Sequence, residues 1–225
     1  MHPFIAEGGC GVYLPQDYFH LRPERAPRSG SSGDATVRLG RFTCLPVARR
    51  QPAAAEALEA LANDSEVAIV RLSSLSRREL AQNSGLPPRE AELARHRDFD
   101  EPFFFAGASP AEIERFKNMA LEKECQVRER GSLWSLAIDA SVPLCIRELS
   151  KLYDRALHSH ARSVALAVED HHEELVMTCD RTIILTLAAD PQVKTGEQSQ
   201  RKVIAVPMRA ADRWEQILAT VSERP

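Results

Sequence analysis

The stretch RHRDFDEPFFF, residues 95–105, crowds Arg95, Arg97, Asp98, Asp100 and Glu101 against Pro102 and the run Phe103 to Phe105. Two structures would account for it. In one, a helix ends in a charged turn, Pro102 stops it, and the phenylalanines enter a buried strand. In the other, the charges line a pocket whose wall is that strand. The elements on either side set the frame in which both readings have to be judged.

Upstream, QPAAAEALEALAND (51–64) is a helix by propensity, and EVAIVRL (66–72) is a β-branched run that reads as a strand. Short helices are expected at about 76–83 and 87–96. Downstream, SPAEIERFKNMALEKE (109–124) opens with a capping box, with Ser109 at the N-cap, Pro110 at the first helical position and Glu112 three residues after the cap. Its apolar stripe is Ile113, Phe116, Ala120 and Leu121. CQVRE (125–129) and SLWSLAI (132–138) read as strands, and PLCIRELSKLYDRAL (143–157) as a helix with Leu149, Leu152, Tyr153 and Ala156 on one side.

RSVALAV (162–168), RTIILTL (181–187) and KVIAVPM (202–208) are short apolar runs of the kind that build a parallel sheet, and a last helix is expected over 210–222. Near the start, CGVYLP (10–15) and TVRLGRF (36–42) read as strands flanking HLRPERAPRSGSSGDA (20–35), an exposed loop by composition. The fold class is α/β.

The 225 residues are 44% hydrophobic, enough to bury one core or two small ones. Net charge is −3 and the basic residues are scattered, which argues against nucleic acid or an anionic membrane as partner. Cys10, Cys44, Cys125, Cys145 and Cys179 are widely spaced singletons with neither metal-binding spacing nor a disulfide framework, so a reducing cytoplasm is the expected setting. No stretch approaches the roughly 20 apolar residues that span a bilayer, and nothing at the N-terminus reads as an export signal.

FIAEGGCGVYLPQDYF (4–19) and RHRDFDEPFFF together resemble the mannosyl-3-phosphoglycerate phosphatases, a branch of the haloacid-dehalogenase (HAD-like) superfamily. The resemblance is carried by Glu7, Gly9, Val12, Tyr13, Pro15, Tyr18 and Phe19, and by Arg97, Asp98, Phe99, Asp100, Glu101, Pro102 and Phe103. It implies a doubly wound parallel core, here 1–45 with 139–225, into which a mixed α/β cap, 46–138, is inserted. It also implies that substrate lies between the two, with Arg97 and Glu101 facing it as substrate-binding residues.

The same resemblance implies an aspartate nucleophile in an Asp-x-Asp motif, a lysine and Mg²⁺. Asp-x-Asp followed by Gly-Thr does not occur in the sequence. The core is therefore expected to be incomplete, lacking its nucleophile strand. In DASVPLC (139–145), Val142 stands at the lysine position and Pro143 at a glycine position. In AVEDHHEELV (167–176), Val168 and His172 stand where the metal-binding aspartates belong, and valine offers Mg²⁺ no oxygen. In ERGSLWSL (129–136), Gly131, Trp134 and Leu136 persist while both arginines and the histidine of the family pattern are replaced. Packing residues survive and charged ones do not.

VEDHHEEL (168–175) has two readings, a transition-metal site or a solvated acidic first turn of a helix. No Gly-x-Ser-x-Gly elbow occurs, SGSSGD (29–34) lies in the loop, and Cys10 between Gly9 and Gly11 reads as a small residue in a tight approach. The expectation is a cytoplasmic, phosphatase-like protein that has lost catalysis. It would bind a sugar phosphate or phosphoglycerate-like anion, or act through protein contacts, including self-association through exposed sheet edges. The alternatives are an active Mg²⁺-dependent phosphatase whose N-terminal segment is encoded upstream or supplied by another chain, and a gene fragment without a stable fold.

Overall fold

The structure, a computed structural model, describes residues 1–18, 21, 36–131, 133–168, 173–187 and 202–222. Its described residues divide into two compact units, one of residues 1–18 and 36–141 and the other of residue 21 with those from 142 onward. The expected core and cap boundaries concern how the chain was assembled, which compactness does not decide.

The first unit holds two antiparallel sheets. In one, β1 (Phe4–Ala6), β2 (Gly11–Pro15), β4 (Phe42–Pro46) and β3 (Val37–Leu39) lie in that order. The single strand expected over 36–42 is a hairpin. Gly40 takes φ +57° between Leu39 and Phe42, which face each other in the register. β1, three residues long, had no alternation long enough to announce it.

In the other sheet the order is β5 (Ile69–Arg71), β6 (Glu101–Phe105), β8 (Leu133–Ile138) and β7 (Cys125–Arg130). The helices α1 (Gln51–Ser65) and α4 (Pro110–Glu122) bury Leu58, Leu61 and Phe116 against Phe103 and Leu136 of this sheet. The capping box of α4 forms as the sequence predicts, and α2 (Arg77–Ser84) has a second one, Ser76 with Glu79. α2 and α3 (Pro88–Arg95) close a satellite cluster of Leu72, Leu80 and Ala91. β5 is shorter than expected. Glu66 takes the left-handed cap of α1 at φ 56°, and Leu72 already begins a 3₁₀ turn.

Pro102 sits inside β6 without breaking it. It pairs across from Ser135 of β8, while the ladder to β5 starts only at Phe103. A proline is tolerated where one side of the strand asks nothing of its missing N–H.

The second unit begins with α5 (Val142–Leu157), one residue earlier than expected, with Pro143 in its first turn. It continues through β9 (Val164–Val168), α6 (Glu173–Val176), β10 (Arg181–Thr186), β11 (Lys202–Pro207) and α7 (Arg213–Ser222). The three strands form the expected parallel sheet, in the order β11-β10-β9. Ile183, Val206 and Ile217 form the centre of its core. No helix among the described residues is long and apolar enough to cross a membrane. The 20–35 loop, except Leu21, and residues 169–172 of VEDHHEEL lie outside the described residues.

Candidate functional site

The charged stretch is organised by a residue more than 90 positions away in sequence. Between β1 and β2 the chain turns through Glu7, Gly8 and Gly9, whose φ angles of 51°, 66° and 94° are all left-handed. Two glycines accept this freely; for Glu7 the conformation costs about 1 kcal/mol. The turn is closed by Gly9 and Cys10 N–H groups donating to the Ala6 carbonyl, both at 3.1 Å, and by the Cys10 thiol donating to the Glu7 carbonyl at 2.8 Å. Gly11 follows because a Cβ there would meet Cys44 Sγ at 3.0 Å and the Leu45 carbonyl at 3.2 Å.

That turn aims the Glu7 carboxylate at a run of backbone amides. Glu7 Oε1 accepts from Asp98 N–H at 3.1 Å, and Oε2 accepts from Phe99 and Asp100 N–H at 2.9 and 3.0 Å. One side chain thereby satisfies three successive donors that no ladder reaches. Around it, Tyr13 Oη donates to Asp98 Oδ2 at 3.1 Å. The Asp98 carbonyl takes Gln51 N–H at 3.0 Å, at the start of α1. Phe99 is fully buried, with the Arg50 guanidinium 4.9 Å above its ring.

Arg97 forms a fork with Asp100, Nε to Oδ1 at 2.6 Å and Nη2 to Oδ2 at 2.9 Å. Asp100 is completely buried, whereas the Arg97 side chain keeps 23% of its surface exposed. Glu101, 1% exposed, is turned inward and accepts from Ser73 Oγ at 2.6 Å and from Gln51 Nε2. The sequence stretch is thus split by the structure. Arg97 presents charge at the surface, and Glu101 holds β6, α1 and the 3₁₀ turn together.

The electrostatics follow from the burial. Desolvation, and then the neighbouring Asp100 charge, push the Glu7 carboxyl above its ordinary value, against the pull of the Asp100 and Asp98 N–H groups and of Arg97. Burial disfavours the charge on Arg97, but its hydrogen bonds to Asp100 and the charges of Asp100 and Glu7 overcome this and raise its pKa. Burial pushes the Tyr13 hydroxyl far up and the Cys44 thiol up to about 11, so neither is an acid, base or nucleophile near neutral pH. All five cysteines are buried. The arrangement offers one thing chemically: a guanidinium held rigidly by a buried carboxylate, with Nη1 as the donor not committed to Asp100.

The described residues offer no site for Mg²⁺. Val168 ends β9 with an apolar side chain, and no group of three His, Cys, Asp or Glu side chains among the described residues could hold a metal ion. Glu7 is the residue whose part the sequence did not disclose. The signal was the EGGCG run, where a carboxylate precedes two glycines in a turn.

No protein-family model matches the chain, and no curated protein matches it. Solved structures do. TM0651 from Thermotoga maritima, known from an X-ray crystal structure, superposes with a TM-score of 0.52 at 11% identity, over 99% of this chain and 76% of that one. BT1666 from Bacteroides thetaiotaomicron matches with a TM-score of 0.45 at 14% identity, over 84% of this chain and 70% of that one. Its structure is described in terms of divergence among phosphatases of the haloalkanoate (HAD) enzyme superfamily. The likeness to TM0651 is one of fold, an α/β architecture.

Proposed function

We propose that the chain is a phosphatase-like protein without catalysis of its own that binds a phosphorylated sugar or glycerate-like anion through Arg97. The observation that carries this reading is the Arg97–Asp100 fork, in which a wholly buried carboxylate fixes a partly exposed guanidinium. Such a group recognises a planar or tetrahedral oxyanion with little conformational entropy left to lose. Glu101 enters as a positioning residue, because its oxygens are occupied by Ser73 and Gln51. The resemblance of the two sequence motifs to mannosyl-3-phosphoglycerate phosphatases supports that ligand class, with 1–45 and 139–225 as core and 46–138 as cap. The absence of catalysis rests on Val142 and Val168, which provide neither the charge nor the oxygen that phosphoryl transfer by that family needs.

Two measurements on the purified chain test this. Mannosyl-3-phosphoglycerate or 3-phosphoglycerate raises the melting temperature of the wild type. Arg97→Lys keeps a charge opposite Asp100 but loses the fork, and it shows a smaller rise. Phosphate release from mannosyl-3-phosphoglycerate at high protein concentration, with and without a chelator, is expected to stay at background. Chelator-sensitive release would overturn the loss of catalysis, and a flat melting temperature with every phosphorylated ligand would overturn the binding reading.

A further inference from the structure

Among the described residues three sheets present six edge strands, and four of them carry within the strand the marks of an edge that must not pair. β3 contains Arg38, β5 ends in Arg71, β7 contains Arg128 and Glu129, and β11 ends in Pro207, while β1 is only three residues long and follows Pro3. β9 has none of these within its five residues, with Glu169 next in sequence after it. Its sequence is Val164-Ala165-Leu166-Ala167-Val168, with no charge, no proline and no glycine, and among the described residues it pairs only with β10. On the face it shares with the buried Ile183, it is only half covered among the described residues. Leu166 is 48% exposed and Val168 46%, while Ala165 and Ala167 point into the unit. Beside it runs a groove of about 480 Å³ lined by Ile146, Leu149 and Tyr153 of α5, by Leu175, and by Val164 and Leu166 of β9 itself.

The five residues read the same in both directions. In an antiparallel pairing about a two-fold axis at Leu166, Val164 of one copy faces Val168 of the other, Ala165 faces Ala167, and Leu166 faces Leu166. Because the side-chain period of a strand is two, this register places the exposed Leu166 and Val168 beside their counterparts on one face. A palindromic strand is self-complementary in the isologous sense that a two-fold interface requires.

We infer that β9 is a dimerisation edge. Two copies of the chain join through antiparallel pairing of Val164–Val168, turning two three-stranded sheets into one of six strands. A five-residue ladder is a small interface beside the roughly 1,600 Å² of a standard stable complex, so the dimer is concentration-dependent.

Sedimentation velocity of the full chain over a concentration series tests this. A species of two chains grows with concentration in the wild type. Leu166→Lys, which sets like charges against each other at the axis, removes that species while the far-UV circular dichroism is unchanged. Leu166→Cys cross-links two chains under mild oxidation, seen on a non-reducing gel. Val168→Cys does so several-fold less, because its counterpart is Val164. A wild type that stays a single chain throughout overturns the inference, as does a dimer that persists in Leu166→Lys or equal cross-linking at 168. A single chain whose outward β9 amides resist hydrogen exchange would also overturn it, since another strand then occupies the edge.

Discussion

Residues 97–101 and residues 164–168 are both five residues long, and they invert the usual rule for what lies inside. The first stretch carries Arg97, Asp98, Asp100 and Glu101, yet Asp100 and Glu101 are 0% and 1% exposed. The second carries only valine, alanine and leucine, yet Leu166 and Val168 stand nearly half in solvent. Burial here follows partners and not polarity. Every charged group of the first stretch has a hydrogen-bonding counterpart waiting for it, whereas Leu166 and Val168 of the second are left half covered among the described residues.

If that contrast is right, it should appear as a graded series of responses. Phe99→Ala is expected to be the most damaging change, at about 4 kcal/mol, because it empties the apolar centre beneath the charged stretch. Urea denaturation measures it. Glu7→Ala comes next, at about 3 kcal/mol, since it leaves the amides of Asp98, Phe99 and Asp100 without an acceptor. A loss below about 0.5 kcal/mol would mean that water replaces the carboxylate and that the charged stretch is a surface feature after all.

The pH dependence sharpens the same point. The Glu7 carboxyl holds its proton more tightly folded than unfolded, so the folded chain binds more protons than the unfolded one just above the ordinary value of 4.5. Stability from this group is therefore present at low pH and declines as pH rises through that window. The difference in melting temperature between wild type and Glu7→Gln is expected to move against the wild type as pH rises from 4.5. The smallest effect belongs to the other region. Leu166→Lys should change the stability of the single chain by no more than about 0.5 kcal/mol, because the side chain it alters is already half solvated. A loss several times larger would show that β9 is covered and end the contrast.

Much of this architecture was legible before any coordinates. The capping box at Ser109 and Glu112 named its helix, and the three apolar runs at 162–168, 181–187 and 202–208 gave the parallel sheet, because both signals are local. TVRLGRF (36–42) reads as one strand because Gly40 alone is weak evidence of a turn, whereas the chain makes a hairpin of Val37–Leu39 and Phe42–Pro46. The site was less legible. Glu101 looked like a charge available to a ligand, and only the positions of Gln51 and Ser73 show where its oxygens are engaged. Glu7 was visible as a motif residue, but nothing in the EGGCG run says which amides it will meet. Hydrogen bonds between distant segments leave no periodicity to read.

The Glu7 clamp has a consequence for kinetics. Its two halves are separated by 91 to 93 residues, so it can close only after the intervening chain has been gathered in. If it closes on the native side of the folding barrier, it acts as a brake on opening and contributes nothing to closing. Glu7→Ala should then leave the refolding limb of a chevron where it is and lift the unfolding limb alone. The carboxylate that fixes the shape of residues 98–100 would set how long the folded chain lasts, not how quickly it forms.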